Sequence, residues 1–453
     1  MKRKLLTLSG CLILLLNSCK SEIEQNTEGS PGQLAQLDNT TIHKLVINGN
    51  DTYVNETDGK YFFADDVIIS PEQFNYLKKL SITGTSTIER STIAKSFART
   101  WPNGVIYYRI PDQGSLSNQA YDMFKRNLDI AFNMISSRTN IEFVERTNQA
   151  EYLHFQSASS IVGNNSPLGW RGDEAYNGSL HNTINIYNYN IPAIIAHEIM
   201  HSMGIMHEQC RPDRDQYMIV NTSRADQRAL INFNIDPTMS GYGDFDFGSV
   251  MMYGPTDFAI DPSRPVMTRL DGSLFTKQRN NLSDGDYAGI NHLYGPVNSG
   301  NEGTYNIESA LASNINLMPQ VDANDQNKIN IVISTGTINN NQRFILRKSA
   351  EHGYYTIRSV EDATKVLTIS GTSNGSVVES RRNKQGDDQK WTLYNLGNDG
   401  YGFAPKNAAN LRMEVRNSQT ANGTFIIINT NLANSTTGTL PAQQRFKLNR
   451  VNN

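Results

Sequence analysis

Three of the eight histidines of this 453-residue chain fall in one short run, His197-Glu198-Ile199-Met200-His201-Ser202-Met203-Gly204-Ile205-Met206-His207-Glu208. No other feature limits the fold as strongly. His197 and His201 sit at i and i+4, so on a helix they share a face, one turn apart. Two imidazoles so placed can reach one metal ion. Glu198 between them is placed to polarise a water on that metal, not to bind the metal itself. Gly204 can take a backbone conformation that other residues resist, end the helix and bring His207 back as a third ligand. Three neutral imidazoles leave a fourth position for water, as in catalytic rather than structural zinc sites. A polar helix face with two solvated histidines would account for neither the third histidine nor the glycine.

The residues downstream narrow the reading. Glu208-Gln209-Cys210-Arg211-Pro212-Asp213-Arg214-Asp215 follows directly, and Ser249-Val250-Met251-Met252-Tyr253 stands further on. With the histidine run, these stretches resemble the combined signature of the astacin family of metzincin metalloendopeptidases. Trp101-Pro102-Asn103-Gly104-Val105-Ile106 resembles the start of that family's catalytic domain. Gln278-Arg279-Asn280-Asn281-Leu282-Ser283-Asp284-Gly285-Asp286 and Asn291-His292-Leu293-Tyr294 resemble its end, and the bacterial branch looks nearest. The resemblance implies an α+β metzincin fold, a twisted mixed sheet plus an active-site helix. It implies one Zn2+ held by His197, His201 and His207, with Glu198 as general base. Met251 would form an apolar floor under the metal, and Tyr253 an additional ligand that swings away to stabilise the oxyanion. Many members carry His at the position of Met252, which is expected to pack locally. Taken alone, Met251 reads as a core methionine and Tyr253 as a buried aromatic.

The N-terminus reads as an export signal over residues 1–19. Lys2, Arg3 and Lys4 precede an apolar run from Leu5 to Leu16 that is too short for a permanent span. Leu16-Asn17-Ser18-Cys19 resembles a bacterial lipoprotein signal, in which Cys19 would carry the lipid; an ordinary secretory signal is the alternative. An extracellular or outer-surface location follows, with membrane contact only through that lipid. Of the three cysteines, Cys11 leaves with the signal and Cys19 is capped, so Cys210 remains without a disulfide partner and is expected to be buried and inert.

Residues 20–90 read as a pro-segment, a polar tether to about Gln36 and then a more mixed stretch. Tyr61-Phe62-Phe63-Ala64-Asp65-Asp66-Val67-Ile68-Ile69 resembles the Phe-x-Gly-Asp motif of astacin pro-segments, whose aspartate occupies the zinc. Asp66 matches that aspartate. Asp65 stands in place of the glycine, which leaves the register between the two open, and a solvated turn beside a short strand is the alternative. Arg90-Ser91 is the candidate cut. The resemblance implies that the freed amine folds inward to Glu208, since a buried ammonium needs a partner.

Within the peptidase region, 91–296, Tyr121, Phe124, Leu128, Ala131 and Ile135 predict an amphipathic helix over 118–136. Residues 140–146 and 152–156 alternate like strands. The active-site helix is expected over 192–203 with Pro192 in its first turn. Residues 157–172 read as a rim loop, where Gly163 and Gly169 would lie near a cleft edge that pairs with extended substrate. Pro265-Val266-Met267-Thr268-Arg269 resembles a loop that, in acid-preferring astacins, puts arginine in the pocket after the scissile bond. Arg269 would there pair an Asp side chain at two points, and a surface arginine is the alternative.

After a linker at 297–304 the text changes. Tyr305-Asn306-Ile307, Tyr355-Thr356-Ile357 and Tyr401-Gly402-Phe403 recur in step with Gln342-Arg343-Phe344, Gln389-Lys390-Trp391 and Gln444-Arg445-Phe446. Such self-similarity marks a repeat architecture, and the Gln-x-aromatic mark resembles ricin-type β-trefoil lectin domains, here over 305–453. An all-β trefoil with one core aromatic per repeat is expected. Thr368 and Glu414 stand where such lectins carry a sugar-binding aspartate, so glycan binding and a docking role both stay open. A net charge of −3 gives no reason to invoke nucleic acid. The reading is a zinc endopeptidase acting on protein or peptide substrates. Its rival is an adhesin that keeps an inactive peptidase scaffold.

Overall fold

The computed structural model of the chain describes residues 39–83, 97–172, 182–295, 302–336, 338–349, 351, 353–397, 400–433 and 439–451. The expected export signal with Cys19, the candidate cut at Arg90-Ser91 and most of the expected linker over 297–304 lie outside them.

The N-terminal layer is a meander of β1 (Thr40–Ile47), β2 (Asn50–Thr57), β3 (Lys60–Ala64) and β4 (Val67–Ile69), followed by α1 (Pro71–Thr83). Two turns enforce it. Asn48-Gly49 has φ of 53° and 82°, and Asp58-Gly59 has 50° and 73°. Two-residue loops with both φ positive match the twist of the flanking strands, which is why Asn-Gly and Asp-Gly are strong hairpin signals. α1 starts on a reciprocal cap: Ser70 Oγ accepts from Gln73 N at 3.2 Å, and Gln73 Oε1 accepts from Ser70 N at 2.8 Å. Neither hairpin nor this helix is among the elements expected from the sequence.

The catalytic sheet comprises β5 (Val105–Arg109), β6 (Glu142–Glu145), β7 (Leu153–Ser157) and β9 (Asn182–Ile186) in the order β6-β5-β7-β9, all parallel. The antiparallel part that a mixed sheet requires is an isolated bridge between Asn165 and Asn185. That bridge brings β8 (Ser166–Pro167) to the β9 edge, and β8 pairs in parallel with β4. The expected rim loop therefore contains a strand, and β4 of the N-terminal layer extends the sheet there.

α2 (Asn118–Ser136) crosses behind the sheet, capped by Ser117 Oγ accepting from Ala120 N at 3.2 Å. Phe124, Leu128, Ala131 and Ile135 bury its apolar face, as their spacing predicts, joined by Phe132, while Tyr121 is only half-buried. α3 (Pro192–Ser202) is buried all round from Ala193 to Ser202, so it is apolar except where it carries chemistry. A smaller lobe follows, with β10 (Met218–Val220) paired to β11 (Met267–Arg269), and then α4 (Asp284–Tyr294).

The C-terminal region forms twelve described strands, from Gly303–Ser309 to Phe446–Arg450, around one apolar core. Phe344, Trp391 and Phe446 are wholly buried in it, as the repeat predicts. The repeated glutamines act as backbone mimics. Gln389 accepts from Lys384 N at 2.8 Å and donates to Arg382 O at 2.8 Å, and Gln444 accepts from Leu432 N at 3.0 Å and donates to Thr430 O at 2.7 Å. Each closes a turn that the strand ladder leaves unpaired.

Candidate active site

α3 carries His197 and His201 on one face, and the chain turns at Gly204, φ 95°, to return His207. Gly204 N–H donates to His201 O at 2.9 Å, so the turn closes on the helix end itself. The three Nε2 atoms lie 3.2 Å from one another. His197 Nδ1 is 2.9 Å from Val250 O, and His201 Nδ1 is 2.8 Å from Ile205 O. A carbonyl only accepts, so these rings carry their proton on Nδ1 and turn a lone pair inward from Nε2. Burial first, and neighbouring cations after it, lowers the His197 pKa despite Asp66; burial brings His207 down to about 3. Neutral imidazoles with converging lone pairs repel unless a cation stands between them. Zn–N bonds of ~2.0–2.1 Å at tetrahedral angles put nitrogens about 3.3 Å apart, so the set fits zinc.

The turn beneath the histidines is anchored from α4. Ser283 and Asp286 form a capping box, and the buried Asp286 carboxylate also accepts from Ser249 Oγ at 2.6 Å and Val250 N at 2.9 Å. Asp286 thus fixes the carbonyl that orients His197, an indirect hold of the kind that sets ligand orientation at metal sites. In the sequence Asp286 stands only as an end-of-domain mark; its Ser-x-x-Asp spacing was the available signal. Met251 is buried in the same apolar cluster as Ile199, Met200 and Met203, and its carbonyl accepts from Glu208 N at 3.2 Å. Glu198 is wholly buried beside His197.

The fourth side of the cluster is taken by the N-terminal layer, at the turn between β3 and β4. Asp66 Oδ2 lies 3.2 Å from His197 Nε2 and 3.1 Å from His207 Nε2. The Tyr253 hydroxyl donates to Asp65 Oδ1 at 2.6 Å and lies 3.2 Å from Asp66 Oδ2. Burial, then the Asp65 and Asp66 charges, push this phenol well above its ordinary pKa. The register left open in the sequence resolves: Asp66 faces the histidines and Asp65 the tyrosine. A solvated turn is excluded, since Asp66 is buried.

Other expected residues fall as follows. Glu208 is largely buried, and its Oε1 accepts from Arg211 Nη1 at 3.0 Å and Asp246 N at 2.8 Å. Burial raises it to about 7 despite these donors. Gly169, φ 72°, donates its N–H to His201 O at 2.9 Å, and a Cβ there would meet Arg99 O at 2.9 Å, so only glycine fits. Cys210 is buried, and its thiol is pushed up to about 12 by that burial, which makes it inert. Arg269 gives its guanidinium to the Phe247 ring, 4.0 Å from the centroid, and not to the histidine cluster. Asn232, Asn234 and Gln209 were not anticipated. Asn232 Oδ1 accepts from Asp65 N and Asn234 Oδ1 from Tyr53 N, both at 2.8 Å, and Gln209 Oε1 accepts from Tyr253 N at 3.3 Å.

Residues 93–295 match the family model described as Astacin, a peptidase family, and residues 293–380 and 340–429 match the Ricin-type beta-trefoil lectin domain-like model. Flavastacin of Elizabethkingia meningoseptica is 56% identical over 459 residues, covering 100% of both chains. The chain belongs to the astacin family. High choriolytic enzyme 1 of Oryzias latipes is another relative, 33% identical over 165 residues, covering 36% of this chain and 58% of its own. The solved structure of that hatching-enzyme zinc-protease is 28% identical, covers 44% of this chain and 95% of its own, and has a TM-score of 0.37. This astacin is a zinc metalloendopeptidase with a ricin-B-like C-terminal domain. The adhesin alternative is not favoured, since the histidine cluster that could hold a metal is complete.

Proposed function

We propose that the described form is the latent enzyme and that removing residues up to the Arg90-Ser91 bond activates it. The observation that carries this reading is Asp66 seated on the three histidines beside Tyr253. In the active form His197, His201 and His207 would hold zinc. Zinc bound there supplies a Lewis acid at the scissile carbonyl and lowers the pKa of a water from 15.7 toward about 7. Glu198 accepts the proton of the attacking water and passes it to the leaving amine. The Tyr253 hydroxyl, released from Asp65, donates to the developing oxyanion. Met251 keeps the floor apolar, which preserves the strength of these charges. Glu208, buried and already raised to about 7, receives the new N-terminal ammonium in place of Arg211.

The edge vacated by β4 is where an extended peptide would bind, because Ser166 N and Leu168 N now donate to Asp66 O and Ile68 O at 2.8 and 2.9 Å. We assign the activity to extracellular proteins, on the strength of the export signal, with Cys19 as a lipid anchor that the same cut would release. Arg269 is proposed to favour Asp after the scissile bond once substrate draws it from Phe247; Arg269→Glu should then disfavour Asp there, and an unchanged preference would remove it from the pocket. Lipid-precursor labelling tests Cys19, with no label on the wild type as the contrary result.

The decisive experiment is Glu198→Ala in processed enzyme. It should keep one zinc per chain and lose roughly 10²- to 10⁴-fold in kcat. A variant with full zinc and normal peptide hydrolysis would remove Glu198 from the mechanism.

A further inference from the structure

Side chains from one stretch of the trefoil, the second repeat, grip the catalytic domain at the sheet edge opposite the cleft. Arg358 is wholly buried, and its guanidinium donates to Ile141 O at 2.8 Å, Ser136 O at 3.2 Å and Thr139 O at 3.4 Å. Ser136 ends α2, so the trefoil caps carbonyls that the helix leaves without partners. Arg382 forms a two-point pair with Asp129 of α2, 2.7 Å on each arm, and donates to the Tyr108 hydroxyl of β5 at 2.6 Å. On the edge strand β6, Glu145 N donates to Asn383 O at 2.9 Å, and Glu142 Oε1 accepts from Asn383 Nδ2 at 2.6 Å. Asn133 completes the seam: its amide donates to Glu361 O at 2.9 Å and accepts from Ala363 N at 2.8 Å.

We propose that the second trefoil repeat is committed to the catalytic domain of its own chain, so that the two domains act as one unit and this repeat takes no outside ligand. Three features carry it. The groups in the seam are buried: Arg358, Glu142, Thr356 and Asn383 are each at most 2% exposed. Their hydrogen bonds run between domains, so losing one partner leaves a buried charge or carbonyl without its match. β6 is the free edge of the sheet, and an uncovered edge is a site of unwanted pairing. Thr368, the residue at the repeat's sugar-site position, is wholly buried and bonded to Gln389 at 3.1 Å.

The test uses the full chain with a site-specific protease sequence inserted between residues 296 and 301. After cutting, the two halves should co-elute at micromolar concentration and melt in a single transition. Asp129→Asn and Arg358→Met should each lower the melting temperature by roughly 5–10 °C and let the cut halves separate. Before cutting, both variants should hydrolyse a short quenched peptide within about twofold of wild type. Wild-type halves that separate on dilution, two independent transitions, or cut variants that stay together would each overturn the assignment.

Discussion

Two covers lie on opposite edges of one catalytic sheet, and they are built from different chemistry. At the β9 side the N-terminal layer, the proposed pro-segment, is held by main-chain pairing through β8, by Asn232 and Asn234 acting as backbone mimics, and by two aspartates on the histidines and the tyrosine. At the β6 side the trefoil is held by the buried Arg358 on the Ser136, Thr139 and Ile141 carbonyls and by the half-buried Arg382 on the Asp129 carboxylate. On the proposed activation the groups at the cleft would have successors: water or substrate for Asp66, an extended peptide for β4, an oxyanion for Asp65. The second cover's partners have none, since capped carbonyls and a sheet edge would face only solvent. On the proposed reading one cover is exchanged and the other stays.

The strongest way to break this contrast is Asp66→Asn in uncut protein. Losing a charge-assisted contact of ~2.7 kcal/mol should raise its hydrolysis of a quenched peptide about a hundredfold over uncut wild type. The trefoil seam should be unaffected, with no change in the elution of the linker-cut form. An uncut variant as silent as wild type would mean that latency does not depend on this carboxylate. Asp65→Asn sharpens the picture at smaller scale. If the Tyr253 hydroxyl is the second thing the pro-segment withholds, uncut protein should leak about tenfold, near 1.4 kcal/mol. Processed enzyme from the same gene should be identical to wild type, because the substituted residue has been removed. A difference in the processed enzyme would point to misfolding instead.

The smallest expected effect concerns Glu208, which is buried before its proposed ammonium partner arrives. Its pKa is raised from 4.5 to about 7 by burial, so the fold prefers the protonated form. Stability of the uncut protein should therefore fall as pH rises from about 4.5 to 7, because ionisation costs more in the folded chain than in the unfolded one. Glu208→Gln should flatten this slope and raise the uncut protein's melting temperature at pH 8 by a few degrees, ~1 kcal/mol. Thermal scans at pH 5 and pH 8 check it, and a parallel fall in both proteins would be the contrary outcome. The same variant should destabilise the processed form, where the ammonium would lose its partner.

What the residues settled unaided was local. The i, i+4 histidines, the glycine that turns the chain and the apolar spacing of 118–136 depend on helix geometry over a few residues. The repeated Gln-x-aromatic mark likewise announced the trefoil core. The two Asn-Gly and Asp-Gly hairpins and the Ser-x-x-Gln cap of α1 were equally local and were legible, though overlooked. Tertiary structure alone decided which of two adjacent aspartates meets the histidines, because successive residues point to different sides and only the docked strand β4 fixes which. It alone assigned Asp286 to the turn behind His197, the asparagines 232 and 234 to the N-terminal layer, and Arg358 to the end of α2. These contacts join residues from about 35 to more than 200 positions apart. No periodicity encodes such pairs, since they exist only when separately folded elements bury one another's unpaired polar groups.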